Sequence, residues 1–214
     1  MILFITPAIK NAGWDQTRQI RREVTLTPGP VVVRGNMSAR NKEKKKFAAY
    51  VLSWEPGVPV AIVEAKDNTH TASHGMQQAL GYAGIIDVPS AFSFNGDAFA
   101  SHNKVPGPGE DIETLLSLNA FPPPPDLWQR YKTYRYIEDQ NESFVVQPYH
   151  RDSSGKEPRY YQTETINRTI EAIARGDKRL LLVMATGTGK TYTTFQIIWR
   201  LCKAKAEKRE LFSC

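Results

Sequence analysis

Cysteine is nearly absent from this chain: Cys202 and Cys214 are the two in 214 residues. Both lie near the end, so neither a disulfide framework nor a thiolate metal cluster organises the fold. Long apolar runs are missing too. No stretch approaches the roughly 18 residues that a membrane span needs. The start, Met1-Ile2-Leu3-Phe4-Ile5-Thr6-Pro7, is apolar but short and lacks a basic leading region, so it is not expected to be a signal peptide. A reducing, cytoplasmic setting without a membrane is the expectation. Histidine is scarce, at four residues: His70, His74, His102 and His150. His70 and His74 are four apart and near Lys66, but no cysteine or third histidine completes a metal site, so ordinary hydrogen-bonding histidines are expected. What remains is an ordinary globular composition, 41% hydrophobic and 23% charged, enough for one full domain and part of another. Lys and Arg exceed Asp and Glu by 28 to 22, giving a net charge of +6 and a pI near 9.3. That balance suits an anionic partner.

The tract Pro122-Pro123-Pro124-Pro125 is the clearest punctuation. Four fixed φ angles and no N–H donors argue against helix and sheet interior alike, so the first domain is expected to span 1–121. A connector follows over 122–158, with Trp128, Tyr131, Tyr134 and Tyr136 interleaved with Arg130, Lys132 and Arg135. Such a segment either stacks and neutralises single-stranded nucleic acid or, more plainly, packs its aromatics as a helix. Before the prolines the pattern is mixed. Ile5 to Ala12 reads as a helix ended by Gly13, and Gln19 to Leu26 and Val31 to Gly35 read as strands about the turn Thr27-Pro28-Gly29-Pro30. Phe47 to Trp54 and Val58 to Glu64 form a hairpin joined at Glu55-Pro56-Gly57. Gly75 to Ile86 reads as a helix and Ser90 to Ser93 as a short strand. This order implies an α+β arrangement, one sheet flanked by helices.

A third segment, 159–214, opens with a helix from Gln162 to Arg175, its apolar stripe carried by Ile166, Ile170 and Ile173, and Gly176 placed to stop it. The apolar run Leu180-Leu181-Leu182-Val183-Met184 reads as a strand, and Ala185-Thr186-Gly187-Thr188-Gly189-Lys190-Thr191 follows it at the start of another helix. That is the context of a phosphate-cradling loop. Glycines at 187 and 189 let the backbone turn its N–H groups toward an anion, Lys190 supplies a mobile charge for the β- and γ-phosphates, and the Thr191 hydroxyl suits Mg²⁺. Met184 stands where the strict pattern has its first glycine, so the match is to the relaxed, helicase-type loop. Phe195, Ile198, Trp199 and Cys202 continue an apolar stripe, and Lys208-Arg209-Glu210-Leu211-Phe212 reads as the entry to a further strand. No second acidic strand follows Thr191, so an incomplete, truncated motor domain is expected.

The second constellation closes the 58–64 strand as Val60-Ala61-Ile62-Val63-Glu64-Ala65-Lys66. Residues two apart on a strand share a face, so Glu64 and Lys66 project together, and a carboxylate beside an ammonium can hold Mg²⁺ and position water at a phosphodiester. Gln78 and Tyr82, four apart, share one face of the next helix. Here the chain resembles the PD-(D/E)xK nuclease fold as it occurs at the N-terminus of the R subunit of type I restriction enzymes. The resemblance runs in order through Ala12-Gly13-Trp14-Asp15, Ala48 to Trp54, Ile62 to Lys66, Gln78-x-x-x-Tyr82, Asn95-Gly96-Asp97-Ala98-Phe99 and Tyr160-Tyr161-Gln162, and then the phosphate loop.

The resemblance implies a mixed nuclease-like sheet flanked by helices, followed by the beginning of an α/β RecA-like motor domain. It implies Glu64, Lys66, Gln78 and Tyr82 as catalytic residues, with Glu64 on Mg²⁺. Gln162 and the loop Thr186, Gly187, Thr188, Gly189, Lys190 and Thr191 would bind ATP, Gln162 at the adenine edge and Thr191 on the nucleotide's Mg²⁺. The implied activity is ATP-driven translocation of duplex DNA coupled to endonucleolytic cleavage. Methylation and specificity subunits are the implied partners, with S-adenosylmethionine entering only through the methylation subunit. One departure stands out. The family has an Asp on the first hairpin strand sharing the metal with the Glu, whereas this chain reads Phe47-Ala48-Ala49-Tyr50. Ala49 holds no metal, so cleavage is expected to be impaired. Glu43, six residues earlier, and Glu55, in the turn, are poor substitutes, and Asp15 lies in another element. The chain also begins inside its expected first helix, without the acidic segment that usually precedes it. Two rivals stay open: a helicase or repair ATPase whose nuclease-like domain only binds DNA, and an inactive interaction module or gene remnant.

Overall fold

A computed structural model describes residues 2–26, 31–34, 37–40, 46–151, 155 and 158–204. The chain divides into two compact units, Met1–Tyr134 and Arg135–Cys214. The first is built on a six-stranded sheet. Its strands are β1 (Ile20–Leu26), β4 (Lys46–Ser53), β5 (Pro59–Ala65), β6 (Ser90–Phe94), β7 (Ala98–Asn103) and β8 (Glu113–Ser117), adjacent in that order, while β2 (Val31–Arg34) and β3 (Met37–Arg40) pair separately. All neighbours run antiparallel except β5 and β6, which are parallel, as a pair joined by a helical crossover must be. The crossover is a 3₁₀ turn, Ala72–Gly75, continued by α2 (Met76–Ile85).

The central strands explain their own sequence. Val60 to Val63 are buried on both faces, so the run is continuous rather than alternating. One face packs against α1 (Ile2–Asn11) through Ile5 and Ile9, where the Thr6 and Tyr50 hydroxyls lie 3.1 Å apart. Phe92, Phe94, Phe99 and Phe121 form a cluster with ring centroids 4.6 to 4.9 Å apart, each such pair contributing about 0.5–1.5 kcal/mol beyond burial. The expected helix and hairpin strands are present within a residue or three of their ends, and Gly57 turns the hairpin at φ +92°. Strands β3, β7 and β8 are additional. The β6–β7 turn is set by Asn95, whose Oδ1 accepts from the amides of Asp97 and Ala98 at 3.1 Å, with Gly96 at φ +107°.

The proline tract does not end the first unit. Pro124 and Pro125 open α3 (Pro124–Arg135), because a helix's first turn needs no N–H donor, and the division between units falls at Tyr134/Arg135 rather than at a separate connector over 122–158. The aromatics of this helix are packing residues. Trp54, Trp128 and Tyr131 stack in series at centroid distances of 5.3 and 5.5 Å, and the Tyr134 hydroxyl donates to Asp87 at 2.5 Å. Trp128 and Tyr131 are buried and unavailable to bases, whereas Tyr136 is 79% exposed.

The second unit contains α4 (Glu142–Val145), α5 (Tyr160–Ala174) and α6 (Lys190–Lys203). Gly176, at φ +90°, closes α5 by returning its N–H to the Ile173 carbonyl. A buried polar network joins the helices. Fully buried Arg200 donates to Asn167 Oδ1 at 2.6 Å and to the Val145 carbonyl, Asn167 accepts from the Tyr149 hydroxyl at 2.8 Å, and Gln196 makes two bonds with the His150 backbone. Burial pushes the Tyr149 hydroxyl up to about 12. The expected strand Leu180 to Met184 is not one: among the described residues it pairs with no other strand, and Leu181 is 88% exposed. A strand exists by hydrogen bonding to a neighbour, and the described part of this unit offers only helices. The expected strand at Lys208 to Phe212 lies outside the described residues, as do the turn Thr27 to Pro30 and Glu43. No helix among the described residues is long and apolar enough to cross a membrane.

Candidate functional site

In the first unit, Glu64 stands near the carboxyl end of β5, beside Ser93 at the same level of β6. The carboxyl ends of parallel strands, capped by the crossover helix, are where open sheets place their ligand sites. Glu64 is only 5% exposed. Its carboxylate accepts the Ala49 backbone N–H and lies 3.5 Å from Lys66 Nζ through Oε1, while Oε2 has no hydrogen-bond partner. Burial pushes this carboxyl above the usual range, against the opposing pull of Lys66 and of the Ala49 amide. A buried carboxylate oxygen without a donor is what a hard cation would satisfy.

The helix α2 completes the arrangement. Lys66 Nζ donates to Gln78 Oε1 at 2.7 Å, and Gln78 Nε2 donates to the Tyr82 hydroxyl at 2.5 Å. Glu64, Lys66, Gln78 and Tyr82 are thus one connected chain. Two further residues seat it. A Cβ added at Gly75 would meet Ser93 Oγ at 2.6 Å and Lys66 Cγ at 3.1 Å, and the Gly75 N–H donates to Ser93 Oγ at 3.1 Å. Gly75 therefore lets the crossover touch the lysine stem, and Ser93 anchors it. The signals were a glycine just before the helix and a serine between the two phenylalanines of β6.

The remaining acids fall elsewhere. Asp15 caps its own turn, accepting from the Thr17 amide and hydroxyl at 2.7 Å and from the Arg18 amide at 3.1 Å; these bonds, the Thr17 hydroxyl's foremost, hold it below the usual carboxylate range. Glu55 pairs with Arg18 at 3.1 Å. His70 lies in the loop after β5, with Nδ1 2.6 Å from Asp67, and its ring sits 4.1 Å from that of His74 in the 3₁₀ turn. Hydrogen bonds from Thr69 and His70 bring Asp67 down to about 2. Among the described residues no group of three or more His, Cys, Asp or Glu is arranged to hold a metal.

In the second unit, Gly187 and Gly189 take φ +77° and +87°, and Gly189 is the N-cap of α6, so the loop makes the left-handed turns its glycines allow. Thr188 folds back on Ala185, its hydroxyl donating to that carbonyl at 2.6 Å. Thr186, Lys190 and Thr191 are exposed at or just before the helix N-terminus, where free N–H groups and the helix dipole favour a phosphate. Gln162 sits behind the loop. Its Oε1 accepts the Arg159 amide at 2.9 Å and its Nε2 donates to the Thr188 carbonyl at 2.9 Å, and a Cβ at 189 would lie 2.4 Å from that nitrogen. Gln162 thus braces the loop from inside, with its amide turned to backbone groups.

Known proteins match this arrangement of chain. Residues 155–214 match the family described as the res subunit of type III restriction enzymes. Over 208 residues, 97% of its length, the chain is 50% identical to the endonuclease subunit of the type I restriction enzyme EcoAI from Escherichia coli, spanning 25% of that protein. The EcoKI endonuclease subunit of E. coli K12 is 44% identical over 54 residues, 5% of its own length. Among solved structures, the fragment assigned to the HsdR subunit of a type I restriction enzyme from Vibrio vulnificus YJ016 covers 95% of the chain at 37% identity, with a TM-score of 0.77. The chain covers 37% of that fragment.

Proposed function

From its homology to the endonuclease subunits of type I restriction enzymes over nearly its whole length, we propose that this chain is part of such a subunit, coupling a Mg²⁺-dependent nuclease unit to the start of an ATP-driven DNA translocase. The first unit then has the PD-(D/E)xK type of fold, and the second is the opening of a RecA-like domain. The observation that carries the nuclease reading is the connected chain Glu64–Lys66–Gln78–Tyr82 ending on a buried carboxylate oxygen without a donor.

Glu64 is the metal-holding group. Mg²⁺ there would neutralise phosphate charge and acidify a bound water. Gln78 fixes the Lys66 ammonium beside Glu64, where it can steady the attacking water or a phosphate oxygen, and Tyr82 fixes Gln78. In the second unit the backbone of Thr186 to Gly189 and Lys190 would hold the phosphates of ATP, whose hydrolysis would supply the energy of translocation, and the Thr191 hydroxyl would hold the nucleotide's Mg²⁺. Duplex DNA is the substrate, and methylation and specificity subunits, the former carrying S-adenosylmethionine, are the partners. The setting is cytoplasmic.

Ala49 favours a second reading, a nuclease-type unit that binds DNA and cuts it poorly. It is the cross-strand neighbour of Glu64, one step beyond the pair Tyr50↔Val63, so an Asp at 49 would share Glu64's face. In a full-length subunit with its partners, Ala49→Asp is expected to raise Mg²⁺-dependent cleavage by orders of magnitude, with Glu64→Ala or Lys66→Ala removing the gain. Equal cleavage with and without Ala49→Asp would mean that position 49 is not the missing ligand.

A further inference from the structure

The register of the sheet places a carboxylate on the far side of Ala49. Strand β1 pairs with β4 through Arg22↔Tyr50 and Val24↔Ala48 but not at Glu23 itself; by count Glu23 falls at the level of Ala49, which by the same count falls at the level of Glu64 on β5. Directly opposed residues of antiparallel strands carry their side chains on the same face. Glu23, Ala49 and Glu64 therefore form a row across three strands, with a methyl group in the middle. On β1 the residues that share the α1 face include the buried Ile20 and Leu26, whereas Arg21, Glu23 and Thr25, on the face of Glu64, are exposed. That face of the sheet is open above β1. Glu23 also adopts φ +50° within the strand, an unusual backbone for a non-glycine residue.

We infer that Glu23 supplies the second metal-ligating carboxylate of this site, in place of the aspartate that Ala49 cannot provide. The independent sign of a ligand is Glu64 itself, nine-tenths buried with Oε2 lacking any partner. Strands two apart set the Glu23 and Glu64 backbones about 10 Å from each other, and each side chain extends three bonds beyond its Cα. Two glutamates leaning inward over the Ala49 methyl can reach one Mg²⁺, whose oxygen ligands lie at about 2.0–2.1 Å. Two carboxylates with water and substrate phosphate filling the remaining positions is the usual Mg²⁺ donor set, and it needs no third acidic residue. With Asp at 49 the cation would sit between β4 and β5; with Ala it moves over β4, toward β1.

This inference rests on the metal-dependent reading of Glu64, and its test separates the two. Mn²⁺ binding to the 214-residue chain is measured by calorimetry and by electron paramagnetic resonance of free Mn²⁺, without DNA. The expected result is a site that Glu64→Gln abolishes, that Glu23→Gln weakens by about tenfold or more, and that Ala49→Asp restores in the Glu23→Gln background. Glu23 is exposed, so its amide variant keeps the fold, and circular dichroism confirms that. If Glu23→Gln binds Mn²⁺ like the parent while Glu64→Gln does not, the assignment of Glu23 is overturned and the Glu64 site stands. If neither substitution changes Mn²⁺ binding, both fall. A parent chain that binds no Mn²⁺ while Ala49→Asp does would show that Glu23 does not replace the aspartate.

Discussion

Replacing Glu64 by glutamine is expected to make the metal-free protein more stable at neutral pH, although it removes a residue assigned to the site. The ionised carboxylate is buried, one oxygen lacks a donor, and burial outweighs the attraction of Lys66 and of the Ala49 amide. Glutamine keeps a polar atom at that place but removes the buried charge, so it relieves only the lower part of the roughly 1–3 kcal/mol that an unsatisfied buried group costs. Lys66, still held by Gln78 and partly in solvent, loses little when its neighbour becomes neutral. The net gain is on the order of 1 kcal/mol, or about 2–4 °C in melting temperature for a chain of this size. The sign with pH follows from the raised carboxyl. Its folded-state value lies above the ordinary 4.5, so the stability it allows is fully present below that value and is lost as pH rises through the higher one. Glu64→Gln has no proton to lose, so parent and variant should melt together near pH 4 and separate as the pH is raised to 7. Scanning calorimetry across that range with EDTA present measures this. A variant that melts below the parent at pH 7, or a difference independent of pH, would refute the reasoning and mean that Lys66 and the amide over-compensate burial.

Gly75→Ala should destabilise the first unit by about 1–3 kcal/mol, since the new methyl meets Ser93 Oγ at 2.6 Å and the Lys66 stem at 3.1 Å. Denaturant unfolding checks the stability, and cleavage in the Ala49→Asp background should fall with it. In the full-length subunit Lys190→Ala should eliminate ATP hydrolysis, measured by phosphate release, and Gln162→Ala should weaken nucleotide binding by loosening Thr188 and Gly189. Asn167→Ala should cost the second unit about 1–3 kcal/mol, because the fully buried Arg200 and the Tyr149 hydroxyl each lose one of their acceptors. Thermal melting followed at Trp199, on α6, would register that loss.

Local chemistry was legible in the sequence. Periodicity located α1, α2, α5 and the β4–β5 hairpin, because each depends on residues near one another in the chain. The Gly-Thr-Gly-Lys-Thr loop was legible as a left-handed turn entering a helix, because glycine permits that backbone geometry. Strand and helix spacing paired Glu64 with Lys66 and Gln78 with Tyr82, and the bonds among the four join residues at most 12 positions apart. Elsewhere local rules misled. Leu180 to Met184 has the composition of a strand, but a strand is made by a partner, and Pro124 and Pro125 look like breakers although a helix's first turn accepts them. Only the tertiary structure decided what stands beside the site. Gly75 reaches the Lys66 stem, and Ser93 the Gly75 amide, because β6 runs parallel to β5 and the crossover between them returns over this face. Glu23 falls at the level of Ala49 through the β1–β4 register on either side of it, in which Ile20 and Leu26 are buried in the core and Glu23 is exposed. Register is a property of two strands together, and a slip by one residue would turn Glu23 to the opposite face.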